Sequence, residues 1–371
     1  MPLYLTEDQT MLRDTARELM AAEGSIANQL RKYRDIGCTD GFGHALWKQF
    51  ADLGLTGILV DESDGGLGLG HVEAGIVLEE IGRNLTPSPF LITAVAVVEA
   101  LKGTSQRERW LSGILAGETV AALAVDEGLK HRPEAIAMKA ERAGNGFRLT
   151  GRKQFVVQGA SADLIVVAAQ AEEGLTLFAV EKEADGLDVE GVRLADGSIG
   201  ARMDFAGVEL DADAVIGEVG AGEAVLARVL GAARAGAASE MVGVASGAMA
   251  MTVEYLKQRK QFGRMIGEFQ VLQHRSAHLY SELEIARSAA LKAQQLLDEG
   301  SEEAELMVSV AKAKAGRVSA LAVQEGVQMH GGIGMTDEHD IGLYMKRDRV
   351  LNELFGDPNY HVDKVARMKG Y

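Results

Sequence analysis

Gln258–Gln273, QRKQFGRMIGEFQVLQ, and Gln328–Gly334, QMHGGIG, each set glycines beside a cation or carboxamides within helical sequence, where a phosphate-bearing cofactor could be held. The second stretch decides the fold class. In a Rossmann unit the glycine-rich loop follows a strand, whereas GGIG follows a helical run, and nowhere does the chain alternate strand with helix. A Rossmann fold is excluded.

Working outward, helical periodicity fills the chain from Glu223 onward, in segments near Glu223–Gln258, Phe269–Glu299, Glu302–His330 and Asp337–Phe355 with the short connections of a four-helix bundle. Small residues crowd the first segment, GAARAGAASEMVGVASGAMA, which suits close helix packing within the chain or between subunits. Upstream, FRLTGRKQFVVQG, ADLIVVAAQ, GLTLFAVEK, GLDVEGVRL and ARMDFAGVEL are short Val-rich runs bounded by Gly, Asp and Asn, which predicts antiparallel strands. Before them Thr6 caps a helix with Met11, Ala16, Leu19 and Met20 near one face, and further helices are expected at Gly43–Leu53, His71–Ile81, Pro89–Leu101 and Gln106–Leu115. The expected architecture is α+β: an N-terminal helical domain over 1–118, a middle antiparallel β domain over 119–222 and a C-terminal helical bundle over 223–371.

Composition narrows the function. At 371 residues, 47% hydrophobic and 25% charged, the chain has the make-up of a globular protein with several cores. Its formal charge, 38 − 54 = −16, disfavours nucleic acid or an anionic membrane as partner. The longest apolar run, Leu91–Val98, falls far short of the ~20 residues of a membrane span, and MPLYLTEDQT has no basic region followed by an apolar run, so no secretory signal is expected. With Cys38 alone no intrachain disulfide can form, and a reducing, cytoplasmic setting is expected.

Taken alone, Arg259 has two readings. It and Phe262 can grip a pyrophosphate and an adenine or ribose, or Arg259 and Gly263 can simply end a helix. His274 and His278 lie four apart on one helix, but residue 275 is Arg where a zinc protease needs Glu, and no third ligand is evident, so no metal is expected.

The chain resembles the acyl-CoA dehydrogenase family over nearly its whole length. The resemblance is carried by LTEDQTMLRD, by WKQFADLGLTGILVDESDGGLG at Trp47–Gly68, by RKQFGRMIGEFQVLQH at Arg259–His274, and by QEGVQMHGGIGMTDE at Gln324–Glu338. It implies FAD as cofactor, an acyl-CoA thioester as substrate, electron-transfer flavoprotein as acceptor, and a dimer or tetramer in which each subunit reaches the FAD of its neighbour. The positions matching that lending role are Arg259, Phe262, Gln270, Gln328 and Gly332, all intact here.

Residues that would meet the flavin ring and the substrate depart from the family. Its first signature reads AVDEGLKHRPEA here, with Asp126 in place of a hydroxyl residue, and the ring-binding stretch reads Phe155, Val156, Val157, which leaves only a backbone N–H at Val157. An added carboxylate beside an electron-rich flavin is unfavourable unless it is protonated or turned away. Dehydrogenation needs a base opposite the ring. The resemblance puts it at Phe355 in LFGD, or at Gly356 with a one-residue slip, or, as in some members, at Ala233 beside a supporting Arg234, so both usual places are empty. Asp357 and Glu240 are the substitutes at hand. The pattern is most like the small subunit of heteromeric bacterial acyl-CoA dehydrogenases of the pimeloyl-CoA or steroid side-chain type, acting with a second, base-bearing subunit. The alternatives are a self-sufficient homotetramer using Asp357 or Glu240, and a non-enzymatic scaffold or acyl-CoA binder.

Overall fold

The computed structural model describes residues 3–371. Helices α1 (Glu7–Ala22), α2 (Lys32–Asp35), α3 (His44–Asp52) and α4 (His71–Asn84) come first. A π-helical stretch, Leu91–Val97, then runs into α5 (Val98–Leu101), and α6 (Gln106–Leu115) follows. Strands β1 (Ala121–Ala124), β2 (Lys139–Ala143), β3 (Gly146–Val157), β4 (Leu164–Ala171), β5 (Gly174–Glu181), β6 (Leu187–Arg193), β7 (Ile199–Leu210) and β8 (Val215–Ile216) come next. The chain continues through α7 (Gly222–Gln258), β9 (Lys260–Gln261), β10 (Arg264–Met265), α8 (Gln270–Asp298), α9 (Ala304–His330), α10 (Ile341–Glu353) and α11 (Pro358–Met368). The start of α1 is a reciprocal capping box, in which Gln9 N–H donates to the Thr6 hydroxyl at 3.2 Å and Thr6 N–H to the Gln9 side chain at 3.0 Å. Among the described residues no helix is long and apolar enough to cross a membrane.

Two compact units interleave along the chain, one built from residues up to 31, 71–86 and 234–371, the other from 32–70 and 87–233. In the second unit the strands form one sheet in the order β6-β7-β3-β2-β4-β5-β8, with β1 on β4. Phe147 and Phe178 meet edge to face in its core, ring centroids 5.1 Å apart. The expectation of a purely antiparallel domain needs correcting. All four residues of β1 pair with β4 in parallel, as does Lys139 of β2 with Gln170 of β4. A hairpin cannot join parallel neighbours, and the intervening β2–β3 segment supplies the long connection they need.

In the first unit α4 and α7 touch backbone to backbone. A Cβ on Gly82 would collide with the Glu240 carbonyl oxygen, one on Gly243 with that of Glu79, and one on Gly247 with that of Arg83. Gly243 and Gly247 of α7 are therefore explained by packing inside this chain. The expected fourth bundle helix is shorter than its periodicity suggested, and α11, beyond the four expected segments, follows it. Asp357 is the N-cap of α11, accepting from Asn359 N–H at 2.9 Å and Tyr360 N–H at 2.8 Å, with Pro358 in the first turn.

Gly243→Ala should destabilise the chain by about 1–3 kcal/mol through overpacking, seen as a lower urea midpoint at unchanged slope. Gly128→Ala, where no atom lies within 4 Å of the added methyl, should leave the midpoint in place.

Candidate cofactor and catalytic site

Arg259 lies just beyond α7, and the next residues form a β-hairpin in which Arg264 pairs with Gln261 and Met265 with Lys260. Phe262 and Gly263 make its two-residue loop, so Gly263 turns a hairpin, while Arg259 itself closes α7, its N–H donating to the Tyr255 carbonyl at 2.9 Å. Ile266 N–H donates to the Arg259 carbonyl at 2.9 Å and closes the base of the hairpin. Gln270 is the first residue of α8.

The second motif is tied to the first by aromatic contact. His330, the last residue of α9, stacks on Tyr255 of α7 at 4.4 Å between centroids and 28° between planes, and the Tyr255 hydroxyl donates to the His330 carbonyl at 3.3 Å. Its Nδ1 lies 2.7 Å from the Gly326 carbonyl oxygen, and burial holds the ring below the usual histidine range. GGIG follows as a tight 3₁₀ turn. The fold thus joins the segments carrying Arg259, Phe262, Gln270, Gln328 and Gly332, and all five residues are exposed. Among the described residues no side-chain hydrogen bond or ion pair engages Arg259, Gln270 or Gln328. Exposed, unpaired donors beside Lys260 and an exposed aromatic fit the pyrophosphate and adenine end of FAD.

The positions matched to the base are of opposite character. Phe355 is buried at left-handed φ +60°, and Gly356 follows at φ +106°. Three buried side chains hold this turn by its main chain. Arg234 Nε donates to the Phe355 carbonyl at 3.1 Å, His361 Nε2 lies 3.2 Å from the same oxygen, and Lys312 Nζ donates to the Leu351 and Gly356 carbonyls at 2.9 and 3.1 Å. Burial, reinforced by the Arg234 charge, pushes the Lys312 amine down to about 7, and burial pushes the Asp348 carboxyl up to about 6. Glu240 is buried and forked by Arg347 at 2.8 and 2.5 Å. Lys312 gave no sequence signal, being one lysine in AKAKAG.

In the other unit, Asp126 is turned onto the buried His131, whose Nδ1 lies 2.8 and 3.1 Å from its two carboxylate oxygens. Glu127 accepts from Lys153 at 2.8 Å and from the N–H groups of Ala137 and Met138. Burial raises the Glu127 carboxyl, but Lys153 and these N–H groups outweigh it and leave it below the usual range. Phe155 has φ +53° inside the irregularity between Lys153 and Val156, where β3 slips against β7, and Val157 is buried and faces Gly200 on β7.

Residues 6–118 match the acyl-CoA dehydrogenase N-terminal domain and residues 220–369 the acyl-CoA dehydrogenase C-terminal domain. The chain is 31% identical to cyclohex-1-ene-1-carbonyl-CoA dehydrogenase of Geobacter metallireducens, with 98% of this chain and 97% of that protein covered. It is 32% identical to mitochondrial isovaleryl-CoA dehydrogenase of Solanum tuberosum, over 83% and 78% of the two. Among solved structures it is similar to a variant of the Tcur3481-Tcur3483 steroid ACAD, at 28% identity and TM-score 0.90 over 98% of each chain. The fold of the ChsE4-ChsE5 complex from Mycobacterium tuberculosis matches at 23% identity and TM-score 0.91 over 100% of each chain. The chain belongs to the acyl-CoA dehydrogenase family, FAD-dependent oxidoreductases acting on the CH–CH bond of acyl-CoA thioesters.

Lys312→Met should leave the Leu351 and Gly356 carbonyls unpaired and lower stability, by about 1–3 kcal/mol for each carbonyl left buried without a donor. The wild type should also gain stability relative to this variant as pH rises from 7 to 10, because a folded state holding the amine at about 7 rather than 10.5 binds fewer protons than the unfolded chain. The contribution is lost as pH falls through 7. Parallel urea midpoints for the two proteins across that window would show an ordinary lysine.

Proposed function

We propose that this chain is one subunit of a heteromeric acyl-CoA dehydrogenase, and that it lends Arg259, Phe262, Gln270, Gln328 and Gly332 to the FAD of a second, base-bearing subunit. The observation that carries this reading is the contrast between the two residue sets. The lending residues are exposed, and the side chains of Arg259, Gln270 and Gln328 have no polar partner among the described residues. Phe355, which the resemblance matches to the base, is buried. The carboxylates at hand are engaged, Asp357 by the first turn of α11 and Glu240 by Arg347.

FAD, when bound, supplies the hydride acceptor for α,β-dehydrogenation of the thioester. This chain's part is to hold the cofactor's pyrophosphate and adenine end, with Arg259 opposing the phosphate charge and Phe262 packing on the base. Its own ring-binding stretch, with Asp126 clasped by His131 and no hydroxyl at Val157, is a weak flavin site. The joint naming of the Tcur3481-Tcur3483 relative is consistent with a two-subunit enzyme. An electron-transfer flavoprotein as acceptor and a cytoplasmic setting complete the reading.

Co-expression with a neighbouring acyl-CoA dehydrogenase gene should yield a yellow complex with fewer FAD molecules than chains, in which Arg259→Met lowers flavin content. A chain that alone carries one FAD each, and whose flavin bleaches with an acyl-CoA under anaerobic conditions, would instead be a self-sufficient enzyme. Asp357→Asn and Glu240→Gln would then identify its base.

A further inference from the structure

The hairpin loop at Phe262 is built against the preferences of its own residues. Both loop positions have left-handed φ, +53° at Phe262 and +82° at Gly263, as the favoured two-residue hairpin turn requires. The first position then suits Asn, Asp or Gly, and a bulky aromatic there is strained. Nor does burial in this chain offset the strain, because Phe262 is 90% exposed. An aromatic held outward at such a cost has its complement elsewhere.

Local contacts brace it. Phe269 meets the Phe262 ring edge to face, with centroids 6.3 Å apart and planes at 82°, and the Arg264 guanidinium lies over the Phe269 ring at 4.0 Å from its centroid. Phe269 is the N-cap residue of α8, next to Gln270. Among the described residues the Arg264 side chain has no hydrogen bond or ion pair, so its place over the ring is not the by-product of a carboxylate contact. The stack Arg264, Phe269, Phe262 therefore links the hairpin tip to the first turn of α8.

We infer that Arg264 is a positioning residue of the lent half-site. Through Phe269 it fixes the direction of Phe262 and the start of α8, so that Arg259, Phe262 and Gln270 address one ligand together. The inference rests on the lending role proposed above and adds a residue to it.

The test is FAD release from the flavin-bearing assembly, followed as the rise in flavin fluorescence on dilution. Arg264→Met should release FAD about five-fold faster than wild type, the size of one exposed cation–π contact, and Arg264→Lys, which keeps a cation over the ring, should stay within about two-fold. Melting of the flavin-free assembly should be unchanged by either substitution. Arg259→Met is the control for the lending role itself and should also speed release. If Arg259→Met releases FAD faster while Arg264→Met behaves as wild type, the brace is overturned and the lending role stands. If both behave as wild type, or no assembly carries flavin, both fall. An equal loss of melting temperature in flavin-free and flavin-bearing Arg264→Met would show a structural residue and overturn the positioning role.

Discussion

The helical unit depends on α4 and α7 meeting at backbone distance through Gly82, Gly243 and Gly247. Helices this close leave no room for side chains between them, so the charged residues beside the contact are pressed into low-dielectric surroundings and each needs an opposite charge. Glu80 of α4 receives Arg17 of α1 at 2.7 Å, Glu79 receives Arg287 of α8 at 3.1 Å, and Glu240 of α7 receives Arg347 of α10 at 2.8 Å. Three surrounding helices are thus anchored to the α4–α7 pair by cations. Glycine spacing on two helices fixes where the carboxylates are buried, and the buried carboxylates fix which helix faces turn inward.

Under the turn at Phe355 the same problem is solved differently. Arg234 and Lys312 are directed at main-chain carbonyls, not only at carboxylates. Carbonyls offer a buried cation hydrogen bonds without a full countercharge, so burial, reinforced by the Arg234 charge, still pushes the Lys312 amine down to about 7. The clamp also makes the turn independent of its side chain. The left-handed φ at residue 355 is held by bonds to its own carbonyl oxygen from Arg234 and His361, so the turn does not rely on the phenyl ring.

Much of this was legible in the sequence, for identifiable reasons. Long amphipathic helices and Val-rich alternation repeat a local signal many times over, and the motifs at Arg259 and Gln328 are contiguous. The start of α11 was missed, because an Asp before Pro358 fits a turn as well as a helix cap. What else escaped depends on long-range partnership. The parallel pairing of β1 with β4 follows from a connection of some forty residues. The engagement of Glu240 by Arg347 joins residues 107 positions apart, and the burial of Lys312 depends on carbonyls contributed by α10 and the turn after it. Asp126 and His131 are close in sequence, yet five residues of irregular chain carry no periodicity from which to infer that they meet.

Exposure and strain together say where the chain's unfinished chemistry lies. A protein of net charge −16 has carboxylates enough to pair its arginines, and most exposed arginines here are so paired, Arg148 with Glu209 and Arg152 with Asp204 among them. Arg259 and Arg264 have no carboxylate partner among the described residues, and between them stands an aromatic in a backbone conformation costing on the order of 1–3 kcal/mol. Left to the isolated chain, each of these features is a loss: an exposed ring, a strained turn and cations without counterions. In the reading proposed above, they become favourable together against a polyanion that also carries a flat ring. By contrast, Phe355 is buried over its clamped turn, and in the other unit Asp126 lies against His131. A single selective pressure accounts for both halves of the pattern if the anion is held by this surface and the chemistry is done on another subunit.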